Sequence, residues 1–242
     1  MIPNWVDHVW GFVLVAVLPL YATLDYQRFV QELAGGEPNV RAREYRHIIG
    51  LEWALVAAFV LTWLFVQQRA ATALGLTIIW GTPGVIGAIV TVVGLLAIAA
   101  QIGAVKGLQG AQLDGLRAQM ARVSPILPAT PQEFVLFRWL SVTAGICEEL
   151  LYRGFLLWYL AAYVGTWPAV GLGAVAFGVG HAYQGMSGII KTGIVGALAG
   201  ALYVTSGSLI WPMLLHAAVD LQAGVMVRLV RERSNTTAPT VA

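Results

Sequence analysis

The sequence predicts an all-α protein, a polytopic bundle of membrane-crossing helices. Two observations carry that reading. Of 242 residues, 58% are hydrophobic and only 11% are Asp, Glu, Lys or Arg, less than half the ~25% charged content of ordinary soluble domains. The apolar residues also fall in long continuous runs without period-two alternation. A bilayer removes the need for a charged surface, and inside it only helices and closed barrels satisfy the backbone. Continuous runs fit helices. A net charge of +2 is too small for a nucleic-acid binder, so the expected partner is the lipid bilayer.

About 20 apolar residues cross a bilayer, and the chain offers seven such stretches. Residues 1–8 contain no Lys or Arg, so the first run, 9–24, lacks the positive flank of a signal peptide and reads as a retained span. The polar stretch 25–46 holds Arg28, Arg41, Arg43 and Arg46, with a loop signal at Gly35-Gly36-Glu37-Pro38-Asn39. The second span is 47–66, with Glu52 near its start, and the third is 85–105. In 106–132, Leu108, Leu113, Leu116 and Met120 recur at roughly helical spacing among polar residues. That pattern fits a helix lying on the membrane surface, or a solvated connector. The fourth segment, 133–162, is long and is interrupted by Arg138, Glu148, Glu149 and Arg153; 163–181, 189–205 and 209–227 follow.

The expected organisation is one membrane domain. It comprises an N-terminal three-span region with its connector (1–132), a helical core (133–228) and a flexible tail (229–242). The total is seven spans, or eight if the long fourth segment is broken. With seven, the basic stretches 25–46, 106–132 and 228–233 share one side, which the positive-inside rule makes cytoplasmic along with the C-terminus. The location expected is the bacterial plasma membrane. Cys147 is the only cysteine, which excludes an intramolecular disulfide and a thiolate metal cluster. Gly196-x-x-x-Gly200 has the small-residue spacing that lets helices approach closely.

A charge at the bilayer centre costs at least ~2.5–3.5 kcal/mol. Yet Glu148, Glu149 and Arg153 lie in the fourth segment, His181 ends the fifth, and His216 and Asp220 lie in the seventh. These six residues must face one another or a wet cavity. Glu149 and Arg153 are four apart and share a helix face, as do His216 and Asp220. Glu148 is turned about 100° from Glu149, so one carboxylate can pair with Arg153 while the other points elsewhere. Taken singly, each piece has a structural explanation: an orienting ion pair, a packing pair, a satisfied histidine. Together they imply a functional cavity. Two chemistries suit it. Glu148, His181 and His216 could hold a divalent metal such as zinc with an open position. Alternatively, Glu148 could act as general base on a water that a histidine helps to hold.

At these residues the chain resembles the CPBP family, which covers type II CAAX prenyl endopeptidases and the bacterial Abi group of bacteriocin-processing or immunity proteins. Glu148-Glu149-Leu-Leu-Tyr-Arg153 is similar to its EExxxR motif, Phe177-Gly-Val-Gly-His181 to its FxxxH motif, and His216-Ala-Ala-Val-Asp220 to its HxxxN/D motif. The ordered set covers roughly residues 130–225. The resemblance implies an intramembrane endopeptidase acting on a membrane-associated or lipidated peptide or protein. Glu148 would activate water, His181 would position it, and His216 and Asp220 would serve the oxyanion or a metal. Glu149 and Arg153 would hold the fourth helix in register. The family is described both as glutamate-dependent and as metal-dependent. Two departures stand out. Gly193 replaces a frequent Phe, and Asp220 stands where many members have Asn. An ionised Asp repels an oxyanion, so Asp220 must be protonated, bind a metal or orient His216; this departure leans toward a metal.

Competing readings remain at this level. Gly185-Met186-Ser187-Gly188 has the GxSG form of rhomboid proteases, which would pair Ser187 with His216. Buried Glu and His groups also serve proton-coupled transport, although no inverted repeat is evident. A non-catalytic membrane immunity or binding protein is the third.

Overall fold

The computed structural model describes residues 2–123 and 125–236, with side chains described to 116 and from 125 to 233. The described residues are all helical or connecting, with no strand among them. Five helices are long and apolar enough to cross a membrane: Trp5–Ala34, Val40–Val66, Thr82–Gly107, Ala182–Ser206 and Ile210–Arg233. The expected count of seven is not reached by length and hydropathy, for two reasons. The helix from 131 to 164 carries Arg138, Glu148, Glu149 and Arg153, and the next, Thr166–Gly180, has 15 residues. The break that would have made eight spans is absent, because the 131–164 helix is continuous through a π turn.

The first long helix comprises α1 (Trp5–Phe12), a π turn at Val13–Val17 and α2 (Leu18–Ala34). Asn4 caps it, its side chain accepting from the Val6 and Asp7 amides while Asp7 accepts from the Asn4 amide, a reciprocal capping box. α3 (Val40–Leu61) continues through a π turn at Thr62–Val66. The polar stretch 25–46 is therefore mostly helix rather than loop. The chain reverses only around Gly36 and Asn39, both at positive φ. Charges in this stretch are paired: Arg28 reaches Asp25 at 2.7 Å and Glu44 at 3.3 Å, and Arg43 bonds Glu32. α4 (Thr82–Gly107) leads to α5 (Gly110–Val123), the helical alternative for the connector. Leu113 packs with Val105 and Val230, with Leu116 against them; the side chains of Arg117, Met120 and Arg122 lie outside the described residues.

α6 (Pro131–Glu149) begins at a Thr130–Glu133 capping box with Pro131 in the first turn, where a missing N–H costs nothing. The π turn Leu150–Leu156 joins it to α7 (Leu157–Val164), which stops at Gly165, φ +81°. α8 (Thr166–Gly180) and α9 (Gly185–Ser206) pack against each other. α10 runs Ile210–Thr236 against both α6 and α4, so the expected tail is helical from 229 to 236.

Two glycines set the close crossings. A Cβ on Gly145 would meet Ala217 Cβ and N at 2.8 Å, and one on Gly178 would meet Ile189 O at 2.6 Å. α6 therefore lies tight against α10, and α8 against α9. The main core gathers Phe59, Trp63, Phe155, Leu156 and Phe177 where these helices meet α3. At one end, fully buried Asp7 pairs with Arg69 at 2.7 Å. The Arg69 guanidinium also lies 4.7 Å from the Trp63 ring and 4.8 Å from the Trp158 ring. Arg69 is thus a buried tie between the start of α1, the end of α3 and α7.

Candidate active site

The π turn starts directly after Glu149, and all seven of its residues are buried. A π turn inserts an extra residue into the helical ladder and recurs at functional sites. Here Glu149 and Arg153 face inward together. Glu149 is fully buried, and its Oε1 accepts from Arg153 Nη1 at 2.8 Å. Arg153 also donates to the Gly196 carbonyl at 3.3 Å, and its guanidinium lies 4.2 Å from the Phe177 ring. A Cβ on Gly196 would sit 3.2 Å from both Arg153 Nη2 and Phe177 Cδ1. Gly196 therefore admits the arginine. The Gly196/Gly200 spacing marks where α9 receives Arg153 and Val170.

The same Glu149 Oε1 lies 2.8 Å from His216 Nδ1. Sequence spacing put Asp220 on the same helix face as His216. Asp220 Oδ2 is 3.7 Å away, on the Nε2 side of the ring, and Glu149 on another helix makes the close contact. Glu149 is acceptor-only when ionised, so His216 Nδ1–H donates to it. That fixes the tautomer and leaves His216 Nε2 facing Glu148. His181, just past the end of α8, is held likewise, with Nδ1 2.9 Å from the Phe177 carbonyl. Nδ1–H donates, and Nε2 is left free.

Glu148 Oε2 is buried without a hydrogen-bond partner. It lies 3.8 Å from His216 Nε2 and 4.0 Å from His181 Nε2, beyond direct hydrogen-bond distance. The Phe177 ring is 4.7 Å from His181 and 5.8 Å, edge-on, from His216, so one ring backs both imidazoles. Glu148, His181, His216 and Asp220 all line one cavity of about 580 Å³. Glu149 and Arg153 lie behind its wall rather than on it. Ser187 is exposed in the first turn of α9 and is not on that wall.

Among the described residues, no group of three or more His, Cys, Asp or Glu is arranged to hold a metal ion. Zinc bonds of 2.0–2.2 Å place tetrahedral ligand atoms about 3.3–3.5 Å apart. The separations from Glu148 to the two imidazoles are wider. The expected set of His181, His216 and Glu148 is not assembled as metal ligands, and no step below is routed through a metal.

The cavity wall holds three acids the motifs did not single out, Asp25, Glu44 and Glu52. Glu52 of α3 lines it, and its Oε2 is buried without a partner. The signal was available: an acid inside an apolar span, costly for the same reason as Glu148.

The described helices thus bring carboxylates and two imidazoles to one internal cavity. Residues 130–222 match the family described as Type II CAAX prenyl endopeptidase Rce1-like, the stretch that holds Glu148, Glu149, Arg153, His181, His216 and Asp220. No curated protein and no solved structure matches the chain.

Proposed function

We propose that the protein is an intramembrane endopeptidase in which Glu148 activates water. The observation that carries this reading is the unpartnered Glu148 Oε2 set 3.8 and 4.0 Å from the Nε2 atoms of His216 and His181. One water between these three acceptor positions would donate to Glu148 and to one imidazole, with no direct hydrogen bond to displace.

In the reaction, Glu148 takes a proton from that water as its oxygen attacks the scissile carbonyl. The C–O bond forms, and the carbonyl electrons move onto oxygen. His181 aims the water. His216, when protonated on Nε2, donates to the oxyanion, with Glu149 at Nδ1 and Asp220 beside Nε2 balancing its charge. Asp220 thus acts on the charge of His216, while Glu149 orients its ring. Collapse of the intermediate breaks the C–N bond, and Glu148 returns its proton to the leaving amine. Arg153 acts through Glu149 and touches no reacting atom.

The substrate is a membrane-associated or lipidated peptide, reaching a cavity buried among the helices. We take the bundle as seven crossings, counting 131–164 and Thr166–Gly180 with the five apolar helices. That places the C-terminus on the cytoplasmic side of a bacterial plasma membrane. The test is cleavage of a membrane-anchored fluorogenic peptide library by purified protein in proteoliposomes. Replacing the base, Glu148→Ala, should cost about 10²–10⁴ in kcat while peptide binding persists. Cleavage by E148A at the wild-type rate would overturn the reading.

A further inference from the structure

We infer that Glu52 forms a cation-recognising subsite, so that the preferred substrate carries a basic side chain next to the scissile bond. The inference rests on the protease reading and names its substrate class.

The cavity wall is unevenly charged. Asp25, Glu44, Glu52, Glu148 and Asp220 line it, against one cationic side chain, Lys191. Most of these acids are accounted for. Asp25 and Glu44 share Arg28 at 2.7 and 3.3 Å. Asp220 lies beside His216, and Glu148 between the two imidazoles. Glu52 is the exception. Its Oε2 is shut from solvent without a hydrogen-bond partner, and Glu52 forms no ion pair among the described residues. Its charged neighbours are Glu148 and Asp220, both acidic, and the His216 imidazole.

A buried polar atom left without a partner is expensive, and more so in a low-dielectric site. A lysine ammonium or arginine guanidinium would give Glu52 the donors it lacks and would offset the acidic excess. A neutral or acidic side chain there would leave the carboxyl unmatched, which is how a polar site rejects a ligand. Glu52 is on α3, whereas the reacting groups sit on α6, at the end of α8 and on α10. It can therefore select a substrate side chain without entering the bond-breaking steps.

The experiment uses the full chain in proteoliposomes and twin alanine/leucine peptides. The twins differ only in carrying lysine or norleucine at one position, scanned along the peptide. Binding is read by fluorescence polarisation to the cleavage-dead E148A protein, and cleavage by kcat/KM on wild type. At one position the lysine twin should be favoured about 10- to 100-fold, the range of a charge-assisted hydrogen bond. In E52Q, made alone and with E148A, that ratio should fall toward one. In E52K it should invert, so that a glutamate twin is preferred. A ratio near one in wild type at every position, or a ratio unchanged in E52Q, overturns the subsite. The two readings fail separately. If E148A cleaves normally while binding follows charge, the protease reading falls and the subsite stands. If cleavage needs Glu148 but charge does not matter, the subsite falls alone.

Discussion

Glu149→Ala is the sharpest perturbation this architecture offers, because two hydrogen bonds from different helices end on one oxygen. Arg153 Nη1 and His216 Nδ1 both reach Glu149 Oε1 at 2.8 Å, and the three residues are at most 9% exposed. Truncation leaves a buried guanidinium whose remaining acceptor is the Gly196 carbonyl at 3.3 Å. Breaking a buried pair by removing one partner costs about 3–5 kcal/mol. For a chain of this size that corresponds to a fall of about 6–20 °C in Tm. It also frees the His216 ring, so activity should fall beyond what the lost folded fraction explains. Glu149→Gln keeps an oxygen that can accept from His216 but removes the charge facing Arg153. It should lie between, with better retained activity than stability. The assay is tryptophan-monitored melting in detergent, paired with cleavage in proteoliposomes. An E149A protein that melts within about 2 °C of wild type and cleaves at the wild-type rate would refute the shared-oxygen argument.

Other expectations follow from single contacts. Asp7→Ala strands Arg69 between Trp63 and Trp158 and should cost about 3–5 kcal/mol, read as a lower Tm with peptide KM unchanged in the surviving folded protein. Gly145→Ala places a methyl 2.8 Å from Ala217. It should cost about 1–3 kcal/mol by overpacking and lower kcat as well, since α10 must shift away from α6. Ser187→Ala should leave cleavage unchanged, because Ser187 is exposed and off the cavity wall; loss of activity would revive the serine reading.

Much of this was readable from the chain. Six ionisable residues in apolar segments pointed to a shared polar interior, and four of them line the same cavity. What spacing could not supply were partners from distant segments. Helical periodicity pairs His216 with Asp220, yet the short contact comes from Glu149, 67 residues away. Arg69 and its partner Asp7 lie 62 residues apart, beyond the reach of helical spacing. Glu52 stood alone in its span, with no near neighbour to form a motif. Glycine and proline mark a loop at 35–39, while the charges around it neutralise one another across a helical hairpin. The helix from 131 to 164 falls outside the five apolar spans for a related reason, since it carries Arg138, Glu148, Glu149 and Arg153.

The π turn at Leu150–Leu156 bears on how this helix would tolerate deletion. Upstream of it, the helix offers carboxylates to α10. Downstream, Trp158 meets the Trp63 ring edge-on and Tyr159 stacks with Phe155. The surplus residue is absorbed within the turn. Deleting one residue there, such as Leu151, would let the ladder close regularly with both halves near their present angle, whereas inserting one more would swing one half by about 100° against the other. Either the acids or the aromatic anchor would then have to leave its seat. The turn works as a phase adjuster between anchoring and chemistry, and it should tolerate the loss of a residue far better than the gain of one.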